Sequence, residues 1–455
     1  MTNWLPSYLP RHPKSERTGP HRINPPRLLL ESFLTLIVLG ALLLKLPMAT
    51  QAPISWLDAA FTATSAMTVT GLVVVDTGTQ FTLFGQLVIL VLIQLGGLGL
   101  MTFAVLTAAA LGFKLGLKHQ IVAQEAFNEI SFETTRRAAT TIAVFALGVE
   151  AVGVIVLSSF FVPEMGWSEG GYHALFYTIS AFNNAGFALS ADSLSQYVSD
   201  PGVSLTVTGL FIVGGLGYIV MREIFEKRRL SALSAYAKII LLTTLVLNVT
   251  ATLLFLVLEY SNPQTLGALH GFADKLLAAW FQGTTPRTAG FNTLDVASFT
   301  SATSVMMLLL MFIGGAPNST ASGIKLSTFV ILIAATRSFL RGNINVTLFR
   351  RSLTRETVVK ALAITTIAMA TIFVGVFLLS ATTNTDFLDI AFEVVSAFGT
   401  VGLSRGATGE LDAVGKLTIM SIMLIGRVGP LTLGYILAIR RKSRLRYATA
   451  EFPVG

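Results

Sequence analysis

Thr68-Val69-Thr70-Gly71-Leu72 closes a short apolar stretch that begins near Trp56, and the chain writes the same neighbourhood three more times. It returns as Asn183-Asn184-Ala185-Gly186-Phe187, as Arg287-Thr288-Ala289-Gly290-Phe291 and as Gly399-Thr400-Val401-Gly402-Leu403. The four glycines stand about 110 residues apart, a regularity that reads as internal repetition and sets the architecture before any single segment is assigned. An aromatic residue precedes each glycine at one fixed interval (Phe61, Phe176, Trp280, Phe392), and a hydroxyl residue stands between (Ser65, Ser180, Thr284, Ser396). A second glycine cluster follows each copy, beginning at Gly96, Gly214, Gly314 and Gly426.

The 455 residues are 53% hydrophobic and only 12% charged, with a mean hydropathy of +0.70. Several apolar runs approach the roughly 20 residues that cross a hydrocarbon core of about 30 Å. Such a composition excludes an ordinary soluble domain and predicts an integral, polytopic membrane protein. With no cysteine in the chain, disulfides and thiolate metal sites are excluded. The 32 Lys and Arg outnumber the 24 Asp and Glu, which in a soluble protein would point to nucleic acid. Their location points instead to a lipid bilayer. Most lie in the N-terminal tail, in residues 112–137, 221–238 and 337–360, and in the C-terminal tail, all alternate connections between apolar runs. The other connections carry acids instead: Glu164, Glu169, Asp192, Asp200, Asp386 and Asp389. This asymmetry places both termini and the three basic connections in the cytoplasm.

The chain divides into a cytoplasmic tail (1–28), repeat 1 (29–111), a cytoplasmic loop (112–137), repeat 2 (138–225), repeat 3 (237–340), repeat 4 (358–439) and a cytoplasmic tail (440–455). Each repeat reads as a span, a half-length helix, a glycine turn and a second span. In the first, these are residues 29–47, 56–67 and 83–107; in the second, 138–161, 172–182 and 203–221. The third has 237–259, 274–285 and a long element from 301; the fourth has 358–380, 387–398 and 413–439. The expected fold is therefore an all-α polytopic membrane protein of four span–pore-helix–span repeats. It has eight transmembrane helices and four re-entrant pore helices around a pseudo-fourfold central pore. An ordinary extracellular loop is the lesser alternative for one short segment taken alone, and a much weaker one for four in register. Backbone that is not helical sits at membrane depth only where it lines a water-filled path or is buried in protein.

The glycine turns suit a dehydrated monovalent cation. Backbone carbonyls supply several partially negative oxygens without the tight binding of a carboxylate, so an ion can leave as well as enter. Glycine permits the positive φ that turns carbonyls inward, and the short helices aim their partially negative C-termini at the same cavity. No acidic side chain lies in the four turns, which argues against a carboxylate ring of the calcium type. Arg287 is the exception, and its guanidinium has to point behind the turn, toward acids or water.

Gly399-Thr400-Val401-Gly402-Leu403 and Thr68-Val69-Thr70-Gly71-Leu72 look like single-glycine relatives of the potassium-channel filter TVGYG. With four repeats in one chain, and Gly-Phe endings in the middle two, the sequence resembles the Ktr/Trk/HKT superfamily of potassium transporters from about residue 29 onward. Within it, the resemblance is closest to the KtrB membrane subunits of bacterial Ktr systems. It implies a potassium selectivity filter formed by Thr68, Val69, Thr70 and Gly71, by Asn183, Asn184, Ala185 and Gly186, by Arg287, Thr288, Ala289 and Gly290, and by Gly399, Thr400, Val401 and Gly402. One glycine per turn, where a potassium channel has two, implies a single defined ion site and weaker rejection of sodium. The resemblance further implies potassium uptake across the bacterial inner membrane, sodium dependence, a homodimer with one pore per protomer, and a cytosolic ring of KtrA-type RCK subunits that bind nucleotides. This chain has no phosphate loop and is expected to bind no nucleotide itself.

The second element of repeat 3 breaks the pattern. Residues 301–335 would make a helix of about 52 Å at roughly 1.5 Å per residue, which overshoots the membrane. The middle reads Gly314-Gly315-Ala316-Pro317-Asn318-Ser319-Thr320-Ala321-Ser322-Gly323, which a helix tolerates badly. It predicts a broken helix with an intramembrane loop under the turns, against the plainer alternative of a kink, and the resemblance implies that this loop is a gate. Arg427 occupies the place of Gly97, Gly215 and Gly315 in an apolar run. A charge there is costly unless it faces water or a partner, so it is expected to line the path, holding the loop or presenting a barrier, instead of snorkelling to an interface. Lys325 is expected at an interface, and Glu150 as a hydrogen-bonded carboxyl between helices. The scattered histidines form no metal or nucleophile arrangement.

Two other function classes compete. An ion-coupled transporter with alternating access calls for inverted repeats and midplane acids, whereas these repeats are parallel and the spans nearly free of Asp and Glu. An intramembrane hydrolase needs paired aspartates, a Ser–His pair or a His-bound metal, and none is visible.

Overall fold

The computed structural model describes residues 25–99, 132–343, 345–349 and 351–429. Residues 1–24 of the expected N-terminal tail, the C-terminal tail, most of the 112–137 connection, and the ends of the second runs of repeats 1 and 4 lie outside these residues, while Pro25 to Leu28 already belong to the first helix. The described chain is almost entirely helical: α1 (Pro25–Leu44), α2 (Trp56–Thr68), α3 (Leu83–Leu98), α4 (Phe132–Phe182), α5 (Pro201–Leu216), α6 (Tyr218–Lys227), α7 (Ala235–Glu259), α8 (Phe272–Thr284), α9 (Ser301–Phe312), α10 (Leu326–Leu340), α11 (Arg355–Thr382), α12 (Phe387–Gly399) and α13 (Ala413–Val428). One tiny antiparallel hairpin, β1 (Thr347–Leu348) with β2 (Arg351–Ser352), follows α10. Large apolar side chains on the outward faces, among them Val91, Ile155, Val257, Phe373 and Phe377, stand open to the surroundings. An apolar belt of this kind suits a lipid surrounding.

The short helices appear where the repeat places them. α2 begins at Ser55, whose hydroxyl accepts the Asp58 N–H at 3.0 Å, and α12 ends at the fourth turn. The second short helix is the end of α4, set off by a non-helical break at Gly166 with φ 82° and ψ 171°. α7 and α11 are long and apolar enough to cross a membrane, as is the α4 region from Thr140 to Phe182. Other apolar helices are shorter than the sequence suggested, because the second run of every repeat stops at its glycine cluster. α3 ends at Gly99 (φ 79°, ψ 136°), α5 at Gly217 (φ 80°, ψ 148°) and α13 at Gly429 (φ 93°, ψ 137°). The continuous run expected over 203–221 is corrected accordingly; residues 100–107 and 430–439 of the runs expected over 83–107 and 413–439 lie outside the described residues. At Gly217 the chain bends by 99° into α6. That backbone conformation is almost reserved to glycine, so Gly217→Ala is expected to lower stability by about 1–3 kcal/mol. A shift of the thermal unfolding midpoint checks it.

The core explains why the repeats need one another. Phe176 of repeat 2 packs in the core of repeat 1, with Ala185 and Phe187 beside it. Phe281, Ala289 and Phe291 of repeat 3 enter the core of repeat 2. Phe392, Val401 and Leu403 of repeat 4 enter that of repeat 3, and Phe61 and Leu72 of repeat 1 enter that of repeat 4. Each repeat thus plugs an aromatic into its predecessor, and the four close into a ring. Burying one such ring stabilises by about 1.5–3 kcal/mol.

Polar ties repeat the same cycle. Tyr172 donates to Gln86 Oε1 at 3.0 Å, the Leu194 N–H donates to the Asn292 carbonyl at 3.0 Å, Arg405 donates to Ser304 Oγ at 2.8 Å, and Lys416 pairs with Asp58 at 2.7 Å.

Candidate functional site

The four glycine turns meet at the centre of this ring. A Cβ on Gly71 would overlap the Ala185 carbonyl oxygen, and one on Gly290 the Val401 oxygen. One on Gly402 would overlap the Thr70 oxygen, and one on Gly186 would stand 3.0 Å from the Ala289 oxygen. The glycines therefore touch in the cyclic order 71, 186, 290, 402. All four carry positive φ: 91°, 67°, 80° and 92°.

A second residue in each turn does so too, two places earlier: Val69, Asn184, Thr288 and Thr400, with φ of 57°, 60°, 69° and 47°. Three of these are β-branched, for which the left-handed region is unfavourable. The helix ends impose it. In repeat 1 the Val69 N–H bonds the Ala66 carbonyl and the Thr70 N–H bonds that of Ser65, at 3.1 and 2.8 Å. Repeat 2 places Asn184 and Ala185 on Ala181 and Ser180 in the same way, and repeat 4 places Thr400 and Val401 on Ala397 and Ser396. This is a left-handed helix cap at a position usually held by glycine. The serine hydroxyls complete each turn: Ser65 and Ser396 accept the N–H of Gly71 and Gly402 at 3.1 and 3.2 Å, and Ser180 donates to the Phe187 carbonyl at 2.7 Å.

Repeat 3 runs one residue short. Thr285, not Thr284, donates to the Phe291 carbonyl at 2.6 Å, and Phe281, not Trp280, is the fully buried aromatic. Pro286 has no N–H to give a cap. Arg287 turns its guanidinium away from the glycines, as the sequence required, but toward an amide: Nη1 donates to Asn248 Oδ1 of α7 at 2.8 Å. Asn248→Leu would leave this buried guanidinium without its acceptor and is expected to cost about 3 kcal/mol or more. Arg287→Met in the same chain should recover most of that loss, and a double-mutant cycle of unfolding midpoints reads it.

Behind the second turn lies a polar group of three. Asn183 Nδ2 donates to Gln94 Oε1 at 2.8 Å and to Glu150 Oε1 at 3.2 Å. Gln94 Nε2 in turn holds both Glu150 oxygens at 3.0 and 3.1 Å. Glu150 is thus a buried carboxyl bonded between helices. Asn184 faces the other way, with Nδ2 at 3.5 Å from Thr288 Oγ1 and Oδ1 accepting from Thr320 at 2.9 Å.

Thr320 belongs to the break in repeat 3. Between α9 and α10 the chain leaves the helix, joined at its base by a bridge between Ile313 and Ile324. The loop docks on the bend between α5 and α6, which frees backbone groups to receive it. Ala316 N–H donates to the Gly215 carbonyl at 2.9 Å, Thr320 N–H to that of Gly214 at 3.3 Å, and Tyr218 N–H to that of Asn318 at 3.2 Å. On the opposite side Arg427 holds the loop: its guanidinium donates to the Thr320 carbonyl, to Ser322 Oγ and to the Gly96 carbonyl. Lys325 is corrected from an interfacial cation to part of this assembly, since its ammonium donates back to the Ala321 carbonyl at 2.6 Å.

In repeats 1, 2 and 4 the first glycine of the cluster lets the second helix approach the short helix of its own repeat. A Cβ on Gly96, Gly214 or Gly426 would overlap the carbonyl of Met67, Phe182 or Phe398 at the base of the short helix of the same repeat.

The model of the TrkH family, cation transport protein, matches residues 2–238 and 233–443. The chain belongs to this family. Among TrkH-family relatives, the Ktr system potassium uptake protein B of Bacillus subtilis (strain 168) is 49% identical over 95% of this chain and 97% of its own length. The potassium/sodium uptake protein NtpJ of Enterococcus hirae is 36% identical over 95% of this chain and 98% of its own. The fold also resembles the crystal structure of the potassium transporter TrkH from Vibrio parahaemolyticus, with a TM-score of 0.70 over 90% of this chain and 85% of that one, at 20% identity. Family membership and the apolar helices make this a membrane protein.

Proposed function

We propose that this chain takes up potassium across the bacterial inner membrane, passively, through the centre of the ring, with main-chain oxygens of the four turns as the ion's ligands. The observation that carries this reading is the contact of Gly71, Gly186, Gly290 and Gly402 in cyclic order. Four bends that close together leave one place where oxygens from all repeats converge, and a monovalent cation is the cargo such a ring suits. The TrkH-family membership and the names of the relatives give the ion class. The sodium in the name of the Enterococcus relative agrees with a turn that carries one glycine, not two.

In this reading the eight-span topology holds, both termini are cytoplasmic, and the loop from Gly314 to Gly323 closes the path below the turns with Arg427 as its latch. A cytosolic nucleotide-binding ring of the KtrA type docks on the basic inner connections of a homodimer, and releases the loop. Sodium dependence belongs to the same proposal. The test is potassium uptake by a cell lacking its own uptake systems, with thallium located by anomalous scattering in the purified chain. Rescue together with thallium density between the four glycines is the expected result. Rescue with the ion bound elsewhere would place the path outside the ring.

A further inference from the structure

Below the break in repeat 3 the outer surface opens into an apolar groove of about 670 Å³ between α9, α10 and α11, a volume in the range of ligand sites. Phe312, Phe329, Ile333 and Leu340 line it, together with Ile313 and Ile324, the two residues that pinch the base of the loop. Its hydroxyls are spent on their own helices: Thr336 donates to Leu332 and Thr365 to Ala361, each at 3.0 Å. No carboxylate lines the groove. Arg337 and Arg341, four residues apart, stand exposed at its end, and among the described residues neither guanidinium has a hydrogen-bond or ion-pair partner.

We propose that this groove is a binding site for an anionic phospholipid, with an acyl chain along the apolar wall and the phosphate headgroup between Arg337 and Arg341. Ile333 and Leu340 are 52% and 78% exposed, so the groove opens onto the face that lipid covers. Basic pockets between spans on the cytoplasmic side recognise anionic headgroups in this way, and guanidinium forks match phosphate geometry. A second copy of the chain is the poorer occupant, because the described lining of this face carries no carboxylate with which a copy of itself could pair the two arginines. The bound chain touches Ile313 and Ile324 at once, and so spans both ends of the loop. The cytoplasmic placement rests on the orientation proposed above; the groove and its two cations do not.

The test adds phosphatidylglycerol or phosphatidylcholine to the purified full chain and counts retained lipid by native mass spectrometry. Phosphatidylglycerol is expected to be retained in preference by about thirtyfold, the effect of two near-surface arginines. Arg337→Gln with Arg341→Gln should level the two lipids, and Ile333→Trp, which fills the groove and keeps both charges, should reduce retention of each. Equal retention by the unaltered chain, or a preference that survives the double substitution, overturns the site. So does a disulfide-linked dimer formed by Ile333→Cys in this otherwise cysteine-free chain, since a second copy would then cover the groove. Retention is read without ion movement, so loss of the lipid preference leaves the transport reading standing. Failed uptake likewise leaves the lipid site standing.

Discussion

Gly290→Ser is expected to abolish potassium uptake or to make it sodium-permissive, while Gly409→Ser, at a glycine with open space around it, stays near the unaltered rate. Two effects add at Gly290. Its φ of 80° costs any other residue about 1–3 kcal/mol, and its new Cβ would overlap the Val401 carbonyl oxygen of the neighbouring turn. The turn has to move, and the oxygens around an ion move with it. A strain of this size is worth roughly tenfold to a hundredfold in an equilibrium, so uptake in a transport-deficient cell is expected to fall by at least about tenfold unless sodium now enters. Unchanged uptake with unchanged selectivity would remove the ring as the ion path.

Arg427→Gln is expected to raise passive flux through the purified chain in vesicles, without the proposed cytosolic partner, by about tenfold or more. The guanidinium holds three acceptors, two of them in the loop, and hydrogen bonds to charged groups contribute about 1.5–3 kcal/mol each. Losing even one such bond moves a two-state loop by an order of magnitude. Removing residues 314–322 should raise flux further, because the docking on Gly214 and Gly215 goes as well. Equal flux in all three chains would show that the loop does not obstruct the path.

Most of the ring was legible in the sequence because its marks are local. A glycine that must turn, a serine at the capping position and an aromatic plug recur at one spacing, and each answers to the geometry of a single helix end. The one-residue contraction in repeat 3 was not legible. Trp280 and Phe281, and Thr284 and Thr285, are adjacent residues of the same kind, and only packing chooses between them. The second left-handed position was hidden for a different reason, since Val69, Thr288 and Thr400 are residues that avoid that conformation, and Val69 and Thr400 are held in it by their helix caps. The breaks at Gly99, Gly217 and Gly429 lay within glycine clusters that were noticed. Glycine is tolerated within an apolar helix, so composition alone does not show which glycine of a cluster takes the positive φ that ends it. Asn248 and Gln94 could have been found by asking of every polar residue in an apolar run which group it was placed there to satisfy.

The contact between the first and last repeats has a bearing on biosynthesis. Phe61 and Asp58 find their partners, the repeat 4 core and Lys416, only when the final quarter of the polypeptide has been made. Until then the ring has one side missing, because a ribosome-bound fragment lacks the fourth turn that closes it. On the proposed ion path, a chain cut before repeat 4 is expected to carry no potassium, since the ring it would cross is not closed.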